Sequence, residues 1–238
     1  MNIQRYLSLF LLLTFFSSPF SIFADEPHLH RELLITGCAR SGTKYIAQVL
    51  RGCGLDVGHE NVGKDGVASW VMVLTADSCP WGPTRKNLSF THIFHQVRHP
   101  LDVISSIYTT EGPKSWGYIT SHLPEISWND PCIVRAAKYW YYWNLRAEAI
   151  SEFTYRIEEI ESVWPEFEKR LGRRLDPSVL TTTPKNVNHR DLKPKRHNFD
   201  TNIDRAAFTW EDLQRELDPV LYRNIRHLAQ KYGYVLEP

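Results

Sequence analysis

Short apolar runs alternate along this chain with segments whose apolar positions repeat at helical spacing. Leu33, Leu34 and Ile35 form a continuous run closed by Gly37, the signature of a buried strand. Tyr45, Ile46, Val49 and Leu50 then recur at helical intervals, which predicts a helix over Thr43 to Arg51 with Gly54 as its stop. The order repeats further on. Ile93, Phe94 and Val97 predict a second strand with Arg98 and His99 at its C-terminal end, and Pro100 opens a helix carrying Val103, Ile104 and Ile107. Between these units, Leu55 to Glu60 reads as a short strand or loop, Gly66 to Leu74 as a helix, and Ser78 to Asn87 as a loop rich in Pro and Gly. A long amphipathic helix is expected from Pro131 to Phe153, shorter ones over Val163 to Leu171 and Trp210 to Leu217, and a terminal one over Pro219 to Tyr232. Strands alternating with helices predict an α/β fold of three layers, with a mainly parallel central sheet flanked by helices.

The first segment stands apart from this pattern. Arg5 precedes an apolar run from Leu7 to Phe16, Ser17 to Pro19 break it, and Ala24 closes a cleavage-like site, so residues 1–24 read as a signal peptide. An uncleaved anchor over residues 6–23 is the alternative, close to the roughly 20 residues that span a bilayer. Residues 25–238 then make one domain. A net charge of +1 excludes a global electrostatic case for nucleic acid or an anionic membrane, so anion binding must be local. Four cysteines in a translocated chain allow disulfides; the preferred pair is Cys79 with Cys132, because a helix between Cys38 and Cys53 holds those two beyond the ~7 Å bridging limit. Asn87, Leu88 and Ser89 form a glycosylation sequon.

The candidate chemistry lies at the two strand ends. Between Gly37 and Lys44 the loop has the glycine spacing of a phosphate-binding P-loop, but Tyr45 replaces the hydroxyl that would hold magnesium after the lysine. Loop amides and the first turn of the following helix suit an anion, and Arg40 adds a permanently charged fork. Arg98, with Ser106 two helical turns beyond it, gives a second anion signal, and no Asp ends that strand to hold a metal. His59 and Glu60 are adjacent groups able to move protons. Trp140 and Trp143 are expected in the core, or else at the edge of an acceptor cleft.

Together the two segments resemble the sulfotransferases that use 3'-phosphoadenosine 5'-phosphosulfate (PAPS): Arg40, Ser41, Gly42 and Thr43 match that family's loop, and Arg98, Pro100 and Ser106 its Arg-x-Pro with a later Ser. Tyr155, Glu158 and Ile160 echo a third family motif, with Ile in place of Leu. The resemblance implies that Ala39 to Lys44 bind the 5'-phosphosulfate and that Arg98 and Ser106 bind the 3'-phosphate. It also implies a late basic loop closing on the nucleotide, for which Arg190, Lys193 and Arg196 are candidates. His59 or Glu60 would be the base, with Arg40 in an electrostatic role at the developing charge. The implied activity is metal-independent transfer of a sulfuryl group to a hydroxyl or amine of a carbohydrate or small molecule, in the secretory pathway, with the Golgi lumen as the place in a eukaryote. A P-loop kinase or NTPase, or an inactive secreted nucleotide binder, are the alternatives.

Overall fold

The computed structural model describes residues 28–185 and 207–236. Five strands, β1 (Leu29–Thr36), β2 (Val57–His59), β3 (Gly66–Ala68), β4 (Leu88–Val97) and β5 (Phe153–Arg156), form one sheet in the order β2-β3-β1-β4-β5. Every neighbouring pair is parallel, with Leu34 of β1 opposite Val67 on one side and Ile93 on the other. The helices are α1 (Thr43–Gly52), α2 (Pro100–Thr110), α3 (Pro113–His122), α4 (Cys132–Ile150), α5 (Ile160–Leu171), α6 (Ser178–Thr182), α7 (Trp210–Glu216) and α8 (Pro219–Lys231).

Both faces of the sheet are covered, which is why its strands read as continuous apolar runs rather than alternating ones. Leu33 and Ile35 point into a core with α1 and α5, through Ile46, Leu50, Trp164 and Phe167. Leu34, between them, joins the opposite core, where α2, α4, α7 and α8 contribute Ile104, Trp140, Leu213 and Ile225. The result is the three-layer α/β fold that the sequence predicts.

Two expected elements differ. The helix expected over Pro131 to Phe153 ends at Ile150, and Phe153 opens strand β5. Gly66 to Leu74 is not a helix but strand β3, followed by a single 3-10 turn over Val71–Val73. Insertion between β1 and β2 decides this: a Cβ on residue 66 would overlap the Leu33 carbonyl, so glycine permits the strand contact there. Trp140 and Trp143 are fully buried, so both belong to the core and neither borders a cleft. The four cysteines are free, contrary to the expected Cys79 with Cys132 pair. Cys132 Sγ at the start of α4 accepts from Arg135 at 3.2 Å, while Cys79 stays in the loop before Trp81.

Candidate functional site

In the sheet β1 lies between β3 on one side and β4 on the other, with β2 and β3 built out on one side and β4 and β5 on the other, so a crevice opens beyond the C-terminal strand ends at this switch point. The loop after β1 and the turn after β4 both lead into it. Gly37 sits where any side chain would collide with the Gln96 carbonyl of β4. Gly42 adopts a left-handed conformation, φ 96°, directly before α1, and α1 has no side-chain cap. The amides of Thr43, Lys44 and Tyr45 therefore have no intrahelical acceptor, and the helix dipole adds positive potential at the same end.

A cavity of about 250 Å³ opens at this helix end. Its lining includes Arg40, Gly42, Lys44, Arg98, Ile157 and Lys185. The two sequence segments meet through hydrogen bonds. Arg40 Nε donates to Ser106 Oγ at 3.0 Å, and Arg98 Nη1 donates to the Arg40 carbonyl at 3.3 Å. Arg98 also reaches Asp102 at 3.3 Å, an exposed pairing one helical turn apart that is weak enough to yield to a ligand.

His59 and Glu60 lie at the end of β2, outside the residues lining the cavity but joined to them through Thr43, whose hydroxyl meets His59 Nε2 at 3.3 Å. Glu60 accepts from Ser69 Oγ at 2.5 Å and from the Trp70 amide. Burial outweighs those bonds and raises its carboxyl to about 7. His59 moves the other way, to about 4, through burial and the nearby cations Lys44, Arg51 and Arg40. Their side chains approach to 3.7 Å, but near pH 6 both are mainly neutral, so the contact is not an ion pair. Of the two, Glu60 has the affinity for a proton that a base working near neutrality requires.

Among the described residues, Arg40 at φ 70° and Glu60 at φ 61° are the two positions other than glycine with left-handed backbone. Such conformations cost roughly 1–2 kcal/mol and persist where the surroundings impose them. Both fall on residues singled out from the sequence.

Several residues brace the site, and of these Gln96 and Tyr139 carry no sequence signal of their own. Tyr155 donates to Gln96 Oε1 at 2.7 Å, and Gln96 Nε2 donates to the Ser41 carbonyl at 2.7 Å, so β5 braces the loop through β4. Tyr139 accepts from the Ala39 amide at 2.9 Å. Glu158 accepts from the His99 amide at 2.8 Å and from Tyr234 at 3.1 Å, which holds the turn between β4 and α2. The third segment, Tyr155 to Ile160, thus supports the first two. Arg190, Lys193 and Arg196 lie outside the described residues, as does the proposed signal segment. Among the described residues no cluster of three or more His, Cys, Asp or Glu is placed to hold a metal ion, and no helix is long and apolar enough to cross a membrane. No protein-family model matches this chain, and no curated protein sequence matches it.

Proposed function

We propose that this chain is a PAPS-dependent sulfotransferase whose nucleotide lies in the cavity at the end of α1. The observation that carries this reading is the convergence of two anion-binding segments, far apart in sequence, on one cavity, through the Arg40 to Ser106 and Arg98 to Arg40 bonds. PAPS supplies an activated sulfuryl group. The amides of the first turn of α1, with Lys44, would receive the 5'-phosphosulfate; Arg98 in the cavity lining and Ser106, joined to that lining through Arg40, would receive the 3'-phosphate. The site's residues fit such a ligand: Gly42 leaves room that a side chain would take from Gln96 and Ile157, and the cations match the ligand's charge.

In the transfer, the acceptor oxygen or nitrogen bonds to sulfur as the bond from sulfur to the bridging phosphate oxygen breaks. The proton lost by the acceptor passes to the Glu60 carboxylate, and the leaving bisphosphate keeps the bonding pair. Holding the donor by both phosphates while the acceptor approaches in line is the main contribution of the protein. The acceptor we propose is a carbohydrate or other small molecule met outside the cytoplasm, as the first 24 residues suggest.

Calorimetric titration of the chain with adenosine 3',5'-bisphosphate in the presence of a chelator tests the reading. Saturable binding is expected, with the melting transition raised; at a hundredfold excess over Kd the gain is about 2.7 kcal/mol. No binding of the bisphosphate, or binding of ATP only with magnesium, would replace this reading with that of a P-loop NTPase. Transfer of radiolabelled sulfate from PAPS to a panel of glycans separates an enzyme from an inactive binder.

A further inference from the structure

The proton-accepting end of the site is walled by a loop that nucleotide binding leaves unused. A Cβ on Gly82 would come within 3.4 Å of the Glu60 carbonyl, so the loop from Ser78 to Gly82 lies against the base. Trp70, whose amide donates to the Glu60 carboxylate, holds its ring 5.3 Å from that of Trp81 in this loop. Trp81 meets Tyr118 of α3 edge-on at 5.6 Å. The Lys114 ammonium lies over the Trp81 ring at 5.3 Å and donates to the Pro80 carbonyl at 3.1 Å, so this exposed lysine is anchored to the loop. Cys79 lies within reach of both charges. Burial raises its thiol, the Glu60 carboxylate raises it further, and the Lys114 ammonium lowers it.

Lys114 is poorly matched to its own helix. α3 starts at Pro113 with Gly112 as an N-cap that has no side-chain bond, and its first turn holds no acidic residue, so a cation stands at the positive end of the dipole. Its hydrogen-bond acceptor is a neutral carbonyl, and among the described residues no carboxylate pairs with it. An ammonium has three N–H donors, so donors remain after Pro80 is served. One turn further along the same face of α3, the Tyr118 hydroxyl is buried, in a side chain only 6% exposed, with no hydrogen-bond partner among the described residues. Resting on the sulfotransferase reading, we infer that the acceptor is acidic: it carries a carboxylate or sulfate near the hydroxyl that takes the sulfuryl group, and Lys114, held by Trp81 and Pro80, receives that anion while the hydroxyl faces Glu60. An anion there compensates the helix end and the lysine together, which a neutral acceptor cannot do. Because Glu60 and Lys114 both act on the Cys79 thiol, the anion and the reacting oxygen belong to one sugar ring or to adjacent rings. Lys114 is thus a specificity-determining residue, and Trp81 is the residue that positions it.

The test is calorimetric titration of the full chain, saturated with adenosine 3',5'-bisphosphate, with tetrasaccharides of hyaluronan, dermatan and polygalacturonate. Each is used in its carboxylated form, in a carboxyl-reduced neutral form, and in a reduced form bearing ester sulfate. At least one anionic form is expected to bind about tenfold or more tighter than its neutral counterpart, and the carboxylated and sulfated arms show which anion is read. Lys114→Gln should remove most of that preference and leave both the neutral form and the bisphosphate within about twofold; Lys114→Arg should restore it. In transfer of labelled sulfate from PAPS to the form that binds, Lys114→Gln should raise KM and leave kcat nearly unchanged. Trp81→Phe should lower the preference by a smaller factor. It keeps a ring under the ammonium, and it serves if Trp81→Ala does not fold by circular dichroism. A parent chain that binds the bisphosphate but none of the tetrasaccharides, or binds neutral and anionic forms alike, overturns the acidic acceptor and leaves the sulfotransferase reading standing. So does a preference that survives Lys114→Gln, or a loss confined to kcat. A parent chain that does not bind the bisphosphate overturns the sulfotransferase reading itself, and the inference with it.

Discussion

A carboxyl that ionises near pH 7 and an imidazole that protonates near pH 4 sit next to each other at the end of β2, and they make opposite demands on stability. Glu60 has a folded pKa above its ordinary value of 4.5, so its contribution to stability is complete below pH 4.5 and is lost as pH rises to about 7. His59 has a folded pKa below its ordinary 6.5, so its contribution is complete above pH 6.5 and is lost as pH falls to about 4. A displacement of this size corresponds to about 3 kcal/mol for each group. Glu60→Gln removes the first effect alone. Urea unfolding at pH 4 and at pH 8 should show the variant gaining about 3 kcal/mol on the parent between the two; an unchanged difference would mean that Glu60 is not held protonated by burial. The same variant should abolish sulfate transfer, since an amide cannot take the proton. The sequence placed His59 and Glu60 together but could not choose between them. Their environments come from burial and from Ser69, Trp70, Lys44, Arg51 and Arg40, of which only Lys44 and Arg40 lie in the motif.

At the scale of the element, helix starts marked by proline were readable, at Pro100 and Pro219. Asp218 followed by Pro219 is a start signal, and the structure shows Asp218 Oδ1 accepting from the Val220 and Leu221 amides at 2.9 and 3.0 Å at the start of α8. Loss of that cap by Asp218→Ala should cost about 1 kcal/mol in chemical denaturation. The effect on nucleotide affinity should be small, because α8 packs on α4 through Leu221, Ile225 and Leu228, away from the cavity lining. Arg98 at the strand end and Ser106 two turns into α2 were equally legible, as Pro100 fixes where that helix begins. Gly66 to Ala68 was not. Three buried residues show no period, and what makes them a strand is pairing with β1 and β2 on either side.

For the molecule as a whole, free thiols replace the disulfide that four cysteines suggested. Cys38 Sγ faces the Trp140 carbonyl at 3.7 Å, Cys53 Sγ the Asp176 carbonyl at 3.6 Å, and Cys132 receives Arg135, while Cys79 is held in its own loop. Each thiol has a separate environment. Burial pushes the thiols of Cys38, Cys53 and Cys79 up, Cys38 most, which slows their reaction further. Protein purified without reductant should therefore show four titratable thiols once denatured, and a reductant should leave its melting temperature unchanged. Two thiols would restore one disulfide.

From the chain alone followed the layered α/β architecture, the loop at Gly37 to Lys44 and the second strand end at Arg98, because strand and helix periodicity and the chemistry of Gly and Pro act within a few residues. Tertiary structure alone brought Arg40 to Ser106 across 66 positions, set Tyr155 and Gln96 behind the loop, made β3 a strand, and separated the cysteines. Each of these depends on which strands become neighbours. That is decided by burying both faces of one sheet at once, a condition no local stretch of sequence can express.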